Sequence, residues 1–291
     1  MAEIVYLNGA LIPRPQAKVA AFDHGFLYGC GLFETMRAYN GQIFLLDRHV
    51  KRLRQSAEWL GMGEALAGIN LEQACLDTLK ANKLKEARLR LTVTGGEADP
   101  FPGREQSAAT VLVAASAYTP LPDTAYAKGY KALISSFRRD SQSLLSRLKS
   151  TSYLLSLLAK REAESAGMDE ALLLNERGNI AEGSISNVFF VRQGELVTPP
   201  VASGILPGIT REAVLELAAG SKIRAIEADL RVSDISGFDE AFLTNSVLEI
   251  MPLVAIRDSA GKTVNIGSGK PGETTKQLMR AFRQMVARET G

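Results

Sequence analysis

The stretch Ile180–Phe189, with the sequence IAEGSISNVF, places one glutamate before a glycine-serine turn and an apolar strand. Most glutamates lie on the solvent-facing surface of a protein. Glu182 stands in a different setting, because Gly183 and Ser184 follow it and an apolar run begins after Asn187. We therefore predict that the Glu182 side chain points into a cleft and that Asn187 orders the loop.

The local patterns around this stretch predict short strands and amphipathic helices. Two Asn-Gly pairs, at Asn8-Gly9 and Asn40-Gly41, are strong signals for β-hairpins. Apolar residues that recur with a period of two or of 3.6 predict the other elements. The predicted helices cover 46–60, 71–84, 151–166, 210–219 and 273–288, and the predicted strands cover 87–94, 110–114, 170–174, 187–191, 241–244 and 254–257.

The order of these elements favours an α+β fold, because strands and helices do not alternate as regularly as in a doubly wound sheet. The segment between Ala117 and Asp123 contains two prolines and no periodicity, which is typical of a linker. We expect a smaller N-terminal α/β domain over 1–118, an interdomain linker over 119–125 and a larger C-terminal domain over 126–291.

Composition excludes several classes of function. The 291 residues carry a formal net charge of +2 and no long basic run, which argues against nucleic-acid binding. No apolar run reaches the ~18 residues of a membrane span, and the N-terminus has no signal-peptide pattern. The two cysteines, Cys30 and Cys75, predict a reducing cytoplasm. With only two histidines, His24 and His49, and no cysteine at ligand spacing, no metal site is expected.

Lys149 lies in the run RLKSTSYL at 147–154. Spacing alone indicates a surface lysine, and no local pattern distinguishes it from the other lysines. The run is, however, similar to the lysine motif of the class IV aminotransferases, the fold-type IV pyridoxal phosphate enzymes, with Ser152 in place of the usual asparagine. The Glu182 stretch resembles the signature of the same family and lies at about the spacing that the family shows.

The resemblance implies pyridoxal 5'-phosphate as the cofactor and a two-domain fold that holds it in the interdomain cleft. Lys149 would form a Schiff base with the cofactor aldehyde and later shuttle the proton of the substrate α-carbon. Glu182 would keep the pyridine nitrogen protonated, so that the ring can accept electrons. Tyr153 would hydrogen-bond the phenolic oxygen of the cofactor. The ring and phosphate contacts of the family match Arg52, Leu206, Gly208, Ile209, Thr210 and Ser246.

One of these phosphate contacts also has support from the residues themselves. The sequence Pro207–Glu212 reads as a turn that runs into a helix, with Thr210 at or near the N-cap. Backbone N–H groups at such a terminus form an anion site. A capped helix start is common, so this pattern indicates a phosphate grip only together with the resemblance.

Substrate-binding residues follow from the branches of the family. Tyr28, Phe33, Arg37 and Arg90 match the branched-chain branch, in which two arginines could receive a second carboxylate. Thr35 and Asn245 match the aminodeoxychorismate lyase branch, and branched-chain enzymes usually have glycine in place of Thr35. The D-amino acid branch is disfavoured, because Thr94 is followed by glycine where that branch carries an arginine, and Phe33 replaces a tyrosine.

The resemblance therefore implies a transaminase that moves an amino group between a branched-chain-type amino acid, with primary amines as further donors, and a 2-oxo acid by a ping-pong mechanism. The alternative is an aminodeoxychorismate lyase that releases pyruvate and 4-aminobenzoate, and a D-amino acid transaminase is less favoured. Family members are homodimers in which each active site borrows loop residues from its neighbour, so we expect a homodimer without nucleic-acid or membrane partners.

Overall fold

The structure of the protein, a computed structural model, describes residues 3–97, 108–258 and 260–291. Its contacts group the chain into two compact units. The first takes in Met1–Thr119, Leu148–Ser152 and Val286–Gly291, and the second takes in Pro120–Arg147 and Tyr153–Met285.

This grouping assigns Lys149 to the first unit, whereas the sequence analysis placed it in a C-terminal domain over 126–291. The predicted domain boundaries stay a prediction.

The first unit is built on an antiparallel sheet with helices packed against one face. Its strands are β1 (Ile4–Leu7), β2 (Ala10–Pro13), β3 (Gly31–Tyr39), β4 (Gln42–Ile43), β5 (Ala87–Thr94) and β6 (Thr110–Ala117). Across the sheet the order is β2-β1-β6-β5-β3-β4. The helices are α1 (His24–Tyr28), α2 (Leu46–Trp59), α3 (Gly63–Ala67) and α4 (Leu71–Ala81).

The two central strands of this sheet separate an apolar face from a polar face. On one face, Leu32 and Met36 of β3 join Leu89 and Leu91 of β5 in the hydrophobic core. Phe33 and Thr35 of β3 point to the opposite face, because successive side chains of a strand alternate. The register of β3 and β5 pairs Thr35 with Arg90, so these two side chains share the polar face.

The segment that carries Lys149 continues this sheet at the edge of β3. Ser150 bridges Leu32, and the Lys149 carbonyl accepts a hydrogen bond from the Phe33 N–H at 2.8 Å. The Gly31 carbonyl accepts a second one from Thr151, also at 2.8 Å. The helix predicted to begin at residue 151 therefore begins only at Leu154.

The second unit is built on a mixed sheet of nine strands. They are β7 (Tyr130–Arg139), β8 (Glu170–Asn175), β9 (Ile180–Gly183), β10 (Asn187–Arg192), β11 (Glu195–Thr198), β12 (Ala225–Glu227), β13 (Glu240–Asn245), β14 (Glu249–Arg257) and β15 (Thr263–Asn265). The order is β12-β11-β10-β13-β14-β7-β8-β9, with β15 paired to β14. The helices are α5 (Asp123–Lys128), α6 (Leu154–Ser165), α7 (Ile209–Gly220) and α8 (Glu273–Thr290), of which the residues from Val286 onward are grouped with the first unit.

These elements confirm the α+β class, since the parallel pairs β7–β8 and β7–β14 stand beside antiparallel hairpins in one sheet. The core of the second unit gathers Ile134, Leu172 and Phe190 from three of its strands. In the described ranges no helix combines the length and apolar character that crossing a membrane requires.

Candidate active site

The Glu182 carboxylate lies buried in β9 and is fixed by three donors. Arg139, at the end of β7, places Nη1 2.8 Å from Oε1. The backbone N–H of Leu206 donates to Oε2 at 3.0 Å, and Asn187 Nδ2 donates to the same oxygen at 3.1 Å. A buried carboxylate needs such partners. Here they also give it one orientation.

Asn187 orders the surrounding loop, as the sequence predicted. Its Nδ2 also donates to the Leu206 carbonyl at 2.9 Å, so one amide joins β10 to the turn before α7. Arg139 was not predicted from the sequence to belong to this site. Its guanidinium also donates from Nε to the Gly204 carbonyl at 2.7 Å and from Nη2 to the Ser146 carbonyl.

Tyr153 precedes α6, and its hydroxyl donates to the Ser184 carbonyl at 3.3 Å. Burial, reinforced by the negative charge of Glu182, raises the pKa of the Tyr153 hydroxyl to about 12. The side chain is therefore a neutral phenol at physiological pH and can act as a hydrogen-bond donor.

A second buried carboxylate, that of Glu170, holds the turn after Glu182. Glu170 accepts hydrogen bonds from the hydroxyls of Ser184 and Ser186 and from the Ser184 N–H. The Gly183 N–H closes the same turn on the Ser186 carbonyl at 2.7 Å. Glu170 thereby fixes the carbonyl to which Tyr153 donates.

The predicted phosphate grip lies at the start of α7. Gly208 is the N-cap residue, and no side chain caps this end of the helix. A Cβ atom at Gly208 would lie 2.0 Å from Asn187 Oδ1, so only glycine fits there. Ile209 and Thr210 occupy the first turn, where the backbone N–H groups have no carbonyl partner within the helix.

The turn between β13 and β14 contains Asn245 and Ser246. Asn245 Oδ1 accepts hydrogen bonds from the N–H groups of Val247 and Leu248 at 2.9 and 2.7 Å, so this amide shapes its own turn. Glu249 closes the turn with φ of 60°, an uncommon value for a residue other than glycine. The substrate role of Asn245 and the phosphate role of Ser246 stay predictions.

In the first unit, Lys149 lies beside two of the predicted substrate residues. Its Nζ is 4.7 Å from the centroid of the Phe33 ring, and the Arg90 guanidinium lies 3.8 Å from the same centroid. A ring face attracts both cations. Thr35, which is paired with Arg90 across the strands, belongs to the same face.

Arg37 lies further along this face of β3 and is buried. Its guanidinium stacks on the rings of Tyr39 and Tyr118, at 4.2 and 4.8 Å from their centroids. Tyr28, in α1, lies with most of its surface exposed. The structure thus groups Phe33, Thr35, Arg37 and Arg90 on one face.

Arg52, predicted to bind phosphate, points from α2 toward the opposite, core-side face of β3. There it pairs with Glu34 through both oxygens of the carboxylate, and His49 joins them. Glu34 and His49 were not predicted from the sequence to join Arg52. The alternation of β3 carried the signal, because Glu34 stands between Leu32 and Met36 on the apolar side.

The chain is similar to known proteins over most of its length. The family model of the class IV amino-transferases matches residues 31–256. A provisionally named branched-chain-amino-acid aminotransferase of Methanocaldococcus jannaschii is 39% identical over 97% of this chain and 96% of its own length. The aminodeoxychorismate lyase of Bacillus subtilis is 34% identical over 97% of this chain and 94% of its own length. The crystal structure of the Escherichia coli branched-chain amino acid aminotransferase superposes with a TM-score of 0.88 at 30% identity, covering 100% of this chain and 97% of that one.

A fold with these neighbours and a buried, clamped glutamate defines an enzyme that uses pyridoxal phosphate for amino-group transfer. More narrowly, the chain belongs to the class IV aminotransferase family, as its motifs predicted. The cofactor prediction is likewise confirmed. The roles of the individual site residues stay predictions.

Proposed function

We propose that the enzyme transfers an amino group from a branched-chain-type amino acid to a 2-oxo acid, with Lys149 as the catalytic residue and Glu182 as the partner of the pyridine nitrogen. The observation that carries this proposal is the clamp on Glu182, since Arg139, Asn187 and Leu206 hold a buried carboxylate in one orientation. The relatives named as branched-chain aminotransferases support the substrate class.

The second unit offers polar groups that fit the cofactor. Thr244 Oγ1 is buried and finds no hydrogen-bond partner among the described residues. Thr244 stands directly opposite Asn187 in the strand register, so both side chains share one face of the sheet. The uncapped start of α7 supplies N–H donors for a phosphate. We propose that the phosphate is held by Arg52, Ile209, Thr210 and Ser246, with Gly208 leaving room for it and Leu206 packing under the ring.

The bound cofactor would act as an electron sink that stabilises negative charge on the substrate α-carbon. Lys149 would take the proton from that carbon and return it during the second half of the cycle. Tyr153 would donate its hydrogen bond as a neutral phenol, because its pKa is raised to about 12. The first product leaves before the second substrate enters, which makes the mechanism ping-pong.

The substrate would bind over the polar face of β3. Phe33 would provide apolar contact for a branched side chain, with Tyr28 beside the entrance. Arg37 and Arg90 would receive the second carboxylate of an acceptor such as 2-oxoglutarate, while Thr35 and Asn245 would orient the reacting end. Support comes from the shared face of Phe33, Thr35 and Arg90.

An aminodeoxychorismate lyase activity is the second candidate. Thr35 lies on the substrate face beside Arg90, and the Bacillus subtilis lyase is 34% identical to this chain. In that reaction pyruvate and 4-aminobenzoate would be the products, and no acceptor acid would be needed.

We further propose a cytoplasmic homodimer. Several apolar side chains in one stretch of the first unit are exposed. A second copy of the chain would bury them in a dimer interface, as is common for exposed apolar patches. These side chains, the exposed apolar segment, are Val19, Phe22, Phe26, Leu27 and Tyr28. Cys30 and Cys75 are free thiols, which fits a reducing compartment.

The test begins with the lysine. Protein incubated with pyridoxal phosphate should gain a visible absorbance band that is absent in Lys149→Ala and unchanged in Lys80→Ala, an exposed lysine of α4. A band that persists in Lys149→Ala would overturn the assignment.

A pair of assays then separates the two activities. Without an acceptor, L-leucine or L-glutamate should yield about one 2-oxo acid per bound cofactor, as expected for a ping-pong half-reaction. No half-reaction with either amino acid, together with 4-aminobenzoate formed from aminodeoxychorismate, would identify the lyase instead.

A further inference from the structure

The core of the first unit contains a carboxylate, that of Glu34, which the proposed reaction does not use. Glu34 lies in β3 between Leu32 and Met36 and is fully buried. A carboxylate in an apolar core is strongly unfavourable unless it is paired and hydrogen-bonded. Its position therefore requires a physical reason.

Two side chains of α2 meet this carboxylate. Arg52 places Nε 2.8 Å from Oε1 and Nη2 2.6 Å from Oε2, which is the bidentate geometry of a strong ion pair. His49 places Nδ1 2.7 Å from Oε2. Glu34 fixes Nε and Nη2 of Arg52. Because the guanidinium is planar and rigid, the direction in which Nη1 points is then fixed as well.

The protonation of the trio leaves little net charge. Burial alone would raise the pKa of Glu34, but Arg52 and His49 outweigh it and lower the pKa to about 2. Burial also lowers the pKa of His49, so the imidazole is neutral at physiological pH. One carboxylate and one guanidinium then cancel. Glu34, His49 and Arg52 together can therefore bind an anion only through N–H groups that are oriented toward it.

The stability of the fold alone does not explain why Glu34 and Arg52 form a buried ion pair. Replacing a buried ion pair by apolar residues of similar volume is often neutral or stabilising. Val50 and Leu53 of α2 already pack into the same core, so an apolar pair would suit this position. Arg54, on the same helix, shows the structural alternative, because its guanidinium donates to the backbone carbonyls of Leu66 and Ile69.

We propose that Glu34, assisted by His49, is a positioning residue that orients Arg52 and thereby makes the site select the phosphorylated form of its cofactor. This inference rests on the phosphate role of Arg52 in the proposed function. A different role, in which Glu34 only neutralises Arg52, predicts the opposite sign, because removing the carboxylate charge would then strengthen phosphate binding.

The measurement is the ratio of the dissociation constants of pyridoxal and pyridoxal phosphate, determined by equilibrium dialysis on the full chain. The two probes differ by the phosphate and by the internal hemiacetal that only pyridoxal can form. The hemiacetal equilibrium belongs to the free probe, so it cancels when the ratios of two variants are compared. Glu34→Gln should lower the preference for pyridoxal phosphate by about tenfold, the lower end of the loss seen when a residue that orients a metal ligand is removed. Arg52→Gln should lower it at least as much. Arg54→Gln should leave the ratio unchanged.

A double-mutant cycle tests whether Glu34 acts through Arg52. In the Arg52→Gln background, Glu34→Gln should cause no further loss of preference. Additive losses, an unchanged ratio in Glu34→Gln, or a ratio that rises would each overturn the inference.

A second variant covers the case in which Glu34→Gln fails to fold. Glu34→Asp keeps the charge but is one methylene shorter, so it cannot reach Arg52 through both oxygens without a shift of the backbone. A lowered preference in Glu34→Asp supports positioning, and a wild-type ratio overturns it. If the wild-type chain binds neither probe, the proposed function fails. If it binds pyridoxal phosphate and transaminates while both Glu34 variants keep the ratio, only this inference fails.

Discussion

Arg139 donates to three acceptors at once, and one of them is the Glu182 carboxylate. Its neighbour Arg138 is exposed and, among the described residues, donates to the backbone carbonyls of Ser135 and Phe137. Variants of these two adjacent arginines therefore distinguish the loss of the contact with Glu182 from the loss of one positive charge.

We expect Arg139→Gln to destabilise the fold by roughly 3 kcal/mol, because it leaves a buried carboxylate without its ionic partner. The rate of transamination should fall by about tenfold to a hundredfold, since Glu182 would lose its fixed orientation. Arg138→Gln is the matched control and should change neither quantity appreciably. Urea unfolding and steady-state kinetics measure the two effects, and equal behaviour of the two variants would contradict the role of Arg139.

Because of Glu34, the free energy of unfolding depends on pH in the acid range. Its pKa in the folded protein is about 2, below the ordinary value of 4.5, so its ionised form stabilises the fold. This contribution is complete above about pH 4.5 and is lost as the pH falls toward 2. By linkage it amounts to roughly 3 kcal/mol.

The excess stability of wild type over Glu34→Gln should therefore be constant above pH 4.5 and shrink below it. Urea unfolding at a series of pH values measures this difference. Glu58→Gln, an exposed glutamate on α2, should show no such trend. A difference that does not change between pH 5 and 3 would mean that the Glu34 pKa is not lowered.

At this scale the sequence identified only residues that a motif marks. Glu182 and Asn187 fell within one recognisable stretch, but the hydrogen bond between their side chains was not predicted. Arg139 carries no such mark, because its partner lies 43 positions away along the chain and its position depends on β7. Glu34 was readable in principle from strand alternation, but its partner Arg52 was assigned only to phosphate.

The first residues of helix α7 affect both the proposed phosphate site and the position of Glu182. Gly208 caps the helix and also leaves space for the Asn187 side chain, which holds Glu182. A single methyl group there would disturb both the proposed phosphate grip and the carboxylate clamp.

Gly208→Ala should weaken pyridoxal phosphate binding by about tenfold or more, because the new Cβ would clash with Asn187 Oδ1. Gly220→Ala, at the other end of α7, meets no atom within 4 Å. It should bind normally and gain about 0.5–1 kcal/mol of stability, as glycine is unfavourable in a helix. Cofactor titration and thermal unfolding distinguish the two variants. Normal binding by Gly208→Ala would show that the α7 terminus does not contact the cofactor.

Element prediction succeeded where the signal was local. Strand β5 occupies the predicted residues 87–94, because a half-buried strand alternates along its length. Both hairpins turn at Asn-Gly pairs with positive φ, as at Asn8 and Gly9. Strand β7 was missed, because it is paired on both sides and its register shifts between Ile134 and Arg138, which breaks the alternation. The start of α6 was misplaced by three residues, since pairing with a distant strand decides it.

At the scale of the whole molecule, the exposed apolar segment is the feature that bears on dimer formation. Phe22 and Phe26 are 72% and 76% exposed, and they lie close together in sequence with Leu27 and Tyr28. Trp59 is also 70% exposed but stands at the end of α2, outside this segment. Aromatic residues that cluster on a surface are typical of interfaces.

The double variant Phe22→Ser/Phe26→Ser should shift the protein from dimer to monomer, measured by light scattering after size exclusion. Trp59→Ser removes comparable apolar surface and should remain dimeric. A monomeric wild type, or a double variant that stays dimeric, would contradict the proposed interface.

The edge pairing of residues 149–151 with β3 also bears on biosynthesis. During translation, β1 to β6 emerge from the ribosome long before Ser150 does, so the edge of β3 that Ser150 covers stays open in the nascent chain. An uncovered strand edge invites pairing with other chains. A fragment that ends at Thr119 should therefore be prone to aggregation, and the synthesis of residues 149–151 would close this edge of β3.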